Sequence, residues 1–219
     1  MIKLKDIDGV IFDMDGVLID SEPLWKIALE EVFQRVGCNL TKKDFQKTVG
    51  MRIDEVIAYW YSVCPWEGKS QKAVEQEIIE RMVELISENA QPLTGVVESL
   101  EFFKSKGKKI GLATSSYQKL LEVVLTSLKI ETYFDYTYSA EHEKYGKPHP
   151  SVYLHVAEKL QLNPRKCLVI EDSLTGVIAG KSARMTVYCV PEKTHHPEPK
   201  LILADAQFES LNLVIKSFS

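Results

Sequence analysis

An α/β protein with a doubly wound parallel sheet is what this 219-residue sequence predicts, and three observations carry that expectation. Four short apolar runs are continuous instead of alternating, the pattern of strands buried on both faces. Stretches of helical periodicity separate the later runs, which implies right-handed crossovers between parallel strands. A helix-rich interval also separates the first run from the second, and it is far longer than a crossover needs.

The first run is GVIF, Gly9 to Phe12. After it comes the long interval, about Ser21 to Pro92, rich in helix formers and poor in strand runs. In SEPLWKIALEEVFQRVG, Ser21 is the candidate N-cap, Pro23 lies in the first turn and Gly37 is the stop. SQKAVEQEIIERMVELISENA reads as one long amphipathic helix. The expected organisation is therefore a core of residues 1–20 and 93–219, with residues 21–92 inserted as a small helical domain over the carboxyl ends of the strands, where ligands of such sheets bind.

Beyond the insertion, Val96, Leu100 and Phe103 recur at helical spacing before Gly107, and KIGLA, Lys109 to Ala113, is the second strand. Leu120, Val124 and Leu128 mark the next helix, and Val152, Val156 and Leu160 another after Pro150. CLVI, Cys167 to Ile170, and TVYCV, Thr186 to Val190, complete the strands. There is no internal repeat and no low-complexity segment.

Composition narrows the class. With 45% hydrophobic and 26% charged residues the chain can bury a full core, which argues against disorder. A formal net charge of −4 provides no basic field to recruit nucleic acid or an anionic membrane surface. Cys38, Cys64, Cys167 and Cys189 are far apart and form no CxxC pair, so they read as reduced structural thiols. The N-terminus lacks the apolar region of a signal peptide, and no apolar run approaches the roughly 20 residues of a membrane span. The expectation is a soluble cytoplasmic protein.

Chemistry enters at the end of the first strand. In VIFDMDGVLIDSEPLW, Asp13 and Asp15 follow the apolar run directly and Gly16 permits a bend, so both carboxylates can flank one reaction centre. A carboxylate can attack phosphorus, and a second carboxyl can protonate the leaving oxygen and then take a proton from water. The other strand ends carry matching groups. Thr114, Ser115 and Ser116 follow KIGLA at the start of a helix, an anion-binding arrangement. Glu171 and Asp172 follow CLVI, and YGKPHP places Lys147 before Pro148, which favours an extended lysine. Asp13, Asp172 and a backbone carbonyl offer hard oxygen ligands for Mg2+, while Thr114 and Lys147 offer a donor and a cation to phosphate oxygens. Two adjacent carboxylates repel, and a divalent cation lets both stay ionised.

As a set, DMDGV at Asp13, ATSS with Thr114, GKPHP with Lys147 and IEDSLTGVIAGKSA with Glu171 and Asp172 resemble the four ordered motifs of the haloacid dehalogenase superfamily, over nearly the whole chain. The resemblance implies a Rossmann-like core with a helical cap inserted after the first motif, Asp13 as nucleophile and Asp15 as general acid and base. It also implies Mg2+ held by Asp13, the Asp15 carbonyl and Asp172, with Glu171 as a direct ligand or as a partner of the ligands. Superfamily members that displace halide generally lack the second aspartate, so Asp15 favours an oxygen leaving group.

Within the superfamily the chain resembles sugar phosphate phosphatases of the β-phosphoglucomutase-like subgroup, which implies a hydrolase for hexitol phosphates or 2-deoxyglucose 6-phosphate. The mutases of that subgroup carry a histidine twelve positions after the nucleophile, where this chain has Trp25. Tryptophan cannot gate a proton, but it can cover a substrate with an apolar wall and donate one hydrogen bond. Water is then the expected acceptor, with a mutase or a phosphatase for phosphoglycolate or a nucleotide as the rivals. A noncatalytic module on this scaffold would be expected to lose a carboxylate or the lysine, and all are present.

In the cap, Arg52 of the GMR loop is a candidate fork for a substrate hydroxyl or the phosphate edge. Trp60, Tyr61 and Trp66 read as cap core first and sugar-stacking residues second. His142 and His149 have no partner at metal-ligand spacing, and His195 and His196 read as a solvated loop. A small phosphorylated metabolite is the expected partner, and the single cap with no apolar seam points to a monomer.

Overall fold

The four apolar runs lie side by side in the middle of one parallel sheet, where burial on both faces calls for such runs. The computed structural model describes residues 2–45, 47–48, 51–191 and 198–218. Its strands are β1 (Gly9–Phe12), β2 (Lys109–Thr114), β3 (Tyr136–Ser139), β4 (Cys167–Glu171), β5 (Thr186–Cys189) and β6 (Ala206–Gln207), in the order β3-β2-β1-β4-β5-β6. Phe12 is in register with Leu112 of β2 and with Ile170 of β4, which aligns the carboxyl ends of these three strands. This is a Rossmann-like doubly wound fold.

Two strands differ from the sequence expectation. Neither β3 nor β6 is a continuous apolar run: β3 reads YTYS and is half-buried, and β6 has only two residues. Both are edge strands, which need no apolar residue on every position.

The period of two along the central strands divides their side chains between two cores. Val10, Phe12, Ile110, Leu112, Leu168 and Ile170 face one side, and Ile11, Ala113, Val169 and Val187 face the other. On the first side lie α5 (Val96–Ser105) and α6 (Gln118–Leu128), and on the second α7 (Ser151–Lys159) and α8 (Leu174–Ser182), while α9 (Leu211–Lys216) packs against α5. Between β1 and α5 the described residues form four helices, α1 (Glu22–Arg35), α2 (Lys42–Phe45), α3 (Ile53–Val63) and α4 (Gln71–Asn89). Helix α4 packs on α1, α3 and α6, and the Tyr117 hydroxyl donates to Glu75 of α4 at 2.7 Å.

Pro23 does lie in the first turn of α1, and Gly37 beyond its end has φ +80°. Ser21 does not cap α1: its backbone is helical, its side chain makes no capping bond, and its hydroxyl turns instead to Asp15. Trp60 and Trp66 are buried among the helices, with Tyr61 packed edge-on against Trp66, as expected for core residues. Among the described residues no helix is long and apolar enough to cross a membrane.

Candidate active site

The polar groups gathered at the carboxyl edge of the sheet come from the ends of β1, β2 and β4 and from the turn before α7. Asp13 continues β1, its backbone N–H donating to Ile170 O at 3.0 Å, and its side chain is buried. The chain then turns back, with the Gly16 N–H donating to Ile19 O at 2.9 Å and Gly16 at φ +73°. A Cβ on Gly16 would stand 2.0 Å from Asp172 Oδ2, so glycine lets the β1 loop approach the end of β4.

That turn delivers Asp15 to a ring of hydroxyls. Its Oδ2 accepts from Ser116 Oγ at 2.7 Å and from Thr114 Oγ1 at 3.5 Å, and its Oδ1 accepts from Ser21 Oγ. Thr114 Oγ1 also accepts from the Ser116 N–H at 3.0 Å, so that amide is used inside the turn and α6 begins only at Gln118.

Lys147, after a cis peptide link to Pro148, inserts its ammonium between two carboxylates. Nζ stands 2.8 Å from Asp13 Oδ1 and 2.7 Å from Glu171 Oε1, and it donates to the Ala113 carbonyl at 3.2 Å. Glu171 is saturated. Its Oε1 also accepts from Tyr153 OH at 2.5 Å, and its Oε2 accepts from the Asp172 N–H at 3.0 Å and from the Ser173 N–H and hydroxyl at 3.1 and 3.0 Å. A Cβ on Gly176 would lie 1.7 Å from Glu171 Oε1, so this side chain is seated directly against α8.

The electrostatics follow from this packing. Burial works against the charge of Glu171, but Lys147 and the surrounding donors bring its carboxyl below the usual range. Burial also opposes the charge of Lys147, which Asp13 and Glu171 nevertheless hold above the ordinary ammonium range. Asp13 is raised to about 7 by burial and then by Glu171, with Lys147 opposing. Burial, Glu171 and Asp13 push Asp172 well above the usual range. The centre thus holds more negative charge than its one lysine neutralises.

Among the described residues, one group of three acidic, histidine or cysteine side chains could hold a metal ion: Asp13, Glu171 and Asp172, with ligand atoms within 4.8 Å of one another. Asp13 Oδ1 is buried and, despite the nearby lysine, has no aligned hydrogen-bond donor. A hard divalent cation fits this set by charge and by ligand type. His142 and His149 join no such group, and His195 and His196 lie outside the described residues.

The strand ends open into a cavity of about 480 Å³ between the sheet edge and helices α1 and α3. The structure brings Asp13, Asp15, Thr114, Ser115, Ser116, Lys147 and Asp172 to its walls, together with Trp25 and Arg52; Glu171 pairs with Lys147 and is not on the wall. Trp60, Tyr61 and Trp66 are not on the walls. Part of the Arg52 fork is already taken: Nε and Nη2 donate to Asp54 Oδ1 and Oδ2 at 3.1 and 2.9 Å, and Nη1 donates to the Glu143 carbonyl at 3.3 Å. Sequence reasoning missed Ser21, Tyr153, Ser173 and Asp54. An Asx-rich turn after β1 hints at the first, while nothing local marks the others.

Comparison with known proteins gives the family. The family described as haloacid dehalogenase-like hydrolase matches residues 10–190. The chain is 41% identical over 208 residues to hexitol phosphatase B of Escherichia coli (strain K12), covering 94% of each chain. It is 38% identical over 179 residues to a phosphorylated carbohydrates phosphatase of Thermotoga maritima, covering 80% of this chain and 81% of that one. Among solved structures it is similar to β-phosphoglucomutase of Clostridium difficile, with 27% identity, a TM-score of 0.82 and coverage of 95% and 93% of the two chains.

Proposed function

The chain belongs to the haloacid dehalogenase-like hydrolase family, and from that premise we propose how this phosphatase works on sugar or sugar-alcohol phosphates. The relatives that are hexitol and carbohydrate phosphatases support that substrate class. The observation that carries the chemistry is the placement of Asp13 beside Lys147 and Asp172, with the Asp15 carboxylate held by hydroxyls on the same cavity wall.

In the proposed cycle an Asp13 carboxylate oxygen attacks phosphorus while the bond to the sugar oxygen breaks. Asp15 gives its proton to that leaving oxygen. A water then loses a proton to Asp15 and attacks the aspartyl-phosphate, releasing inorganic phosphate and restoring the Asp13 carboxylate. Lys147 and Thr114 hold phosphate oxygens, Ser115 and Ser116 line the same wall, and Glu171 orients Lys147. Asp13, Asp172 and the Asp15 carbonyl are the residues we assign to Mg2+, which when bound supplies Lewis-acid contact to the phosphoryl oxygens. Residues 21–92 act as a cap that excludes bulk water, with Trp25 against the sugar body.

The test is phosphate release from hexitol phosphates, 2-deoxyglucose 6-phosphate, β-glucose 1-phosphate, phosphoglycolate and nucleotides, with and without Mg2+. Hexose and hexitol phosphates should lead, and Asp13→Asn should abolish turnover with the fold intact. Glucose 6-phosphate formed from β-glucose 1-phosphate without phosphate release would instead establish a mutase.

A further inference from the structure

The cavity's cations have a property that bears on the charge of the substrate. Among the described lining residues, Lys26, Arg52 and Lys147 are cationic, and each faces a carboxylate. Lys26 pairs with Glu22, and Lys147 with Asp13 and Glu171. Asp54, two residues on in the first turn of α3, takes one edge of Arg52 through Nε and Nη2, and Nη1 donates to the Glu143 carbonyl.

Arg52 is also fixed mechanically. A Cβ on Gly146 would lie 2.5 Å from Arg52 Cδ, so the side chain rests on the turn that carries Lys147. It is 14% exposed, while Asp54 is 40% exposed and is not on the cavity wall. Asp20, Glu22 and Glu209 add further acidic groups to the lining.

A second anion on a substrate needs a cation with free donors, and a bidentate guanidinium is the best group for it. Here the charge of that guanidinium is already balanced by Asp54, and the remaining charged lining residues are carboxylates or lysines paired with them. A neutral polyol suffers no such penalty, because hydroxyls can donate to carboxylates.

We propose that Asp54 is a specificity-determining positioning residue. By balancing the charge of Arg52 and taking its Nε–Nη2 edge, it makes the cavity select phosphomonoesters with a neutral body over bisphosphates and phosphocarboxylates. This rests on the phosphatase reading above and names the charge class of its substrate.

The experiment compares kcat/KM for sorbitol 6-phosphate and 2-deoxyglucose 6-phosphate with that for fructose 1,6-bisphosphate and phosphoglycolate. The wild type should favour the single-anion substrates by at least about tenfold. Asp54→Asn should shrink that preference by about tenfold, the loss of one charge-assisted interaction holding Arg52. Adding Arg52→Gln to Asp54→Asn should restore it, which a merely structural role for Asp54 would not do. If Asp54→Asn does not fold, Asp54→Ser, also suited to a helix start, takes its place. A wild type that hydrolyses both classes equally, or a folded Asp54 variant with an unchanged preference, overturns the inference while the phosphatase reading stands. No hydrolysis of any monophosphate would overturn that reading and this inference with it.

Discussion

Ser21, the residue before α1, donates its hydroxyl to Asp15 Oδ1, so the start of the helical segment is bonded to the second aspartate after β1. Ser116, from the loop after β2, binds the other oxygen at 2.7 Å. One carboxylate is therefore oriented from two separate parts of the chain. A helix start that moved would move a bond to Asp15 with it.

Removing that bond should cost rate more than stability. We expect Ser21→Ala to lower kcat about tenfold, near the worth of one hydrogen bond to a charged group, while Ser21→Thr keeps most of the activity. Phosphate release by each variant, with circular dichroism to check the fold, decides this. A fully active Ser21→Ala would mean that Ser116 and Thr114 suffice to position Asp15.

Gly16 meets two separate demands, a left-handed backbone at φ +73° and the space that a Cβ would take from Asp172 Oδ2 at 2.0 Å. Gly16→Ala should lose about 1 kcal/mol of stability for the backbone alone. Displacement of Asp172 should lower kcat by about 100-fold or more, since small misplacements in such sites cost that much. Urea unfolding and steady-state kinetics on one preparation separate the two effects.

Asp172 sits beside Asp13 and Glu171, and its burial with them raises its carboxyl well above the usual range. Replacing it with asparagine removes one repelling charge at nearly constant shape. The metal-free Asp172→Asn protein should melt roughly 2–4 °C higher than metal-free wild type, a shift of about 1 kcal/mol for a chain of this size. Millimolar Mg2+ should raise the melting temperature of the wild type and leave that of Asp172→Asn nearly unchanged. An equal Mg2+ response in both would remove Asp172 from the proposed ligand set.

The cysteines give a test independent of the site. Cys38, Cys167 and Cys189 are buried, and burial is the main cause that pushes each thiol up to about 12. Cys64 is only partly buried. The native protein should therefore present one thiol that reacts promptly with an aromatic disulfide reagent at pH 8, and the unfolded chain four. Prompt reaction of more than one would contradict the packing of the other three.

Much of this molecule is legible in local pattern. Strands β1, β2, β4 and β5 are continuous apolar runs because central parallel strands have no solvent face, and the helices between them show their buried stripe at regular spacing. Asp13, Thr114, Glu171 and Asp172 can be picked out because each ends or follows such a run, and parallel register places those ends together. The edge strands β3 and β6 escape the same test, since exposure relaxes the need for apolar residues.

Which way a side chain turns is another kind of information. Ser21 looks like a helix cap by its neighbours, yet its hydroxyl finds Asp15, because Gly16 folds the β1 loop back within reach. Arg52 looks like an open fork, yet Asp54 takes one edge of it and the Glu143 carbonyl accepts from Nη1. Glu171 looks like one acid of a pair, yet Tyr153, Lys147 and Ser173 enclose it. Backbone periodicity depends on near neighbours in the chain and survives in the one-dimensional record. Hydrogen bonds and ion pairs act over a few ångströms, between atoms that share a neighbourhood only after the sheet and helices have packed.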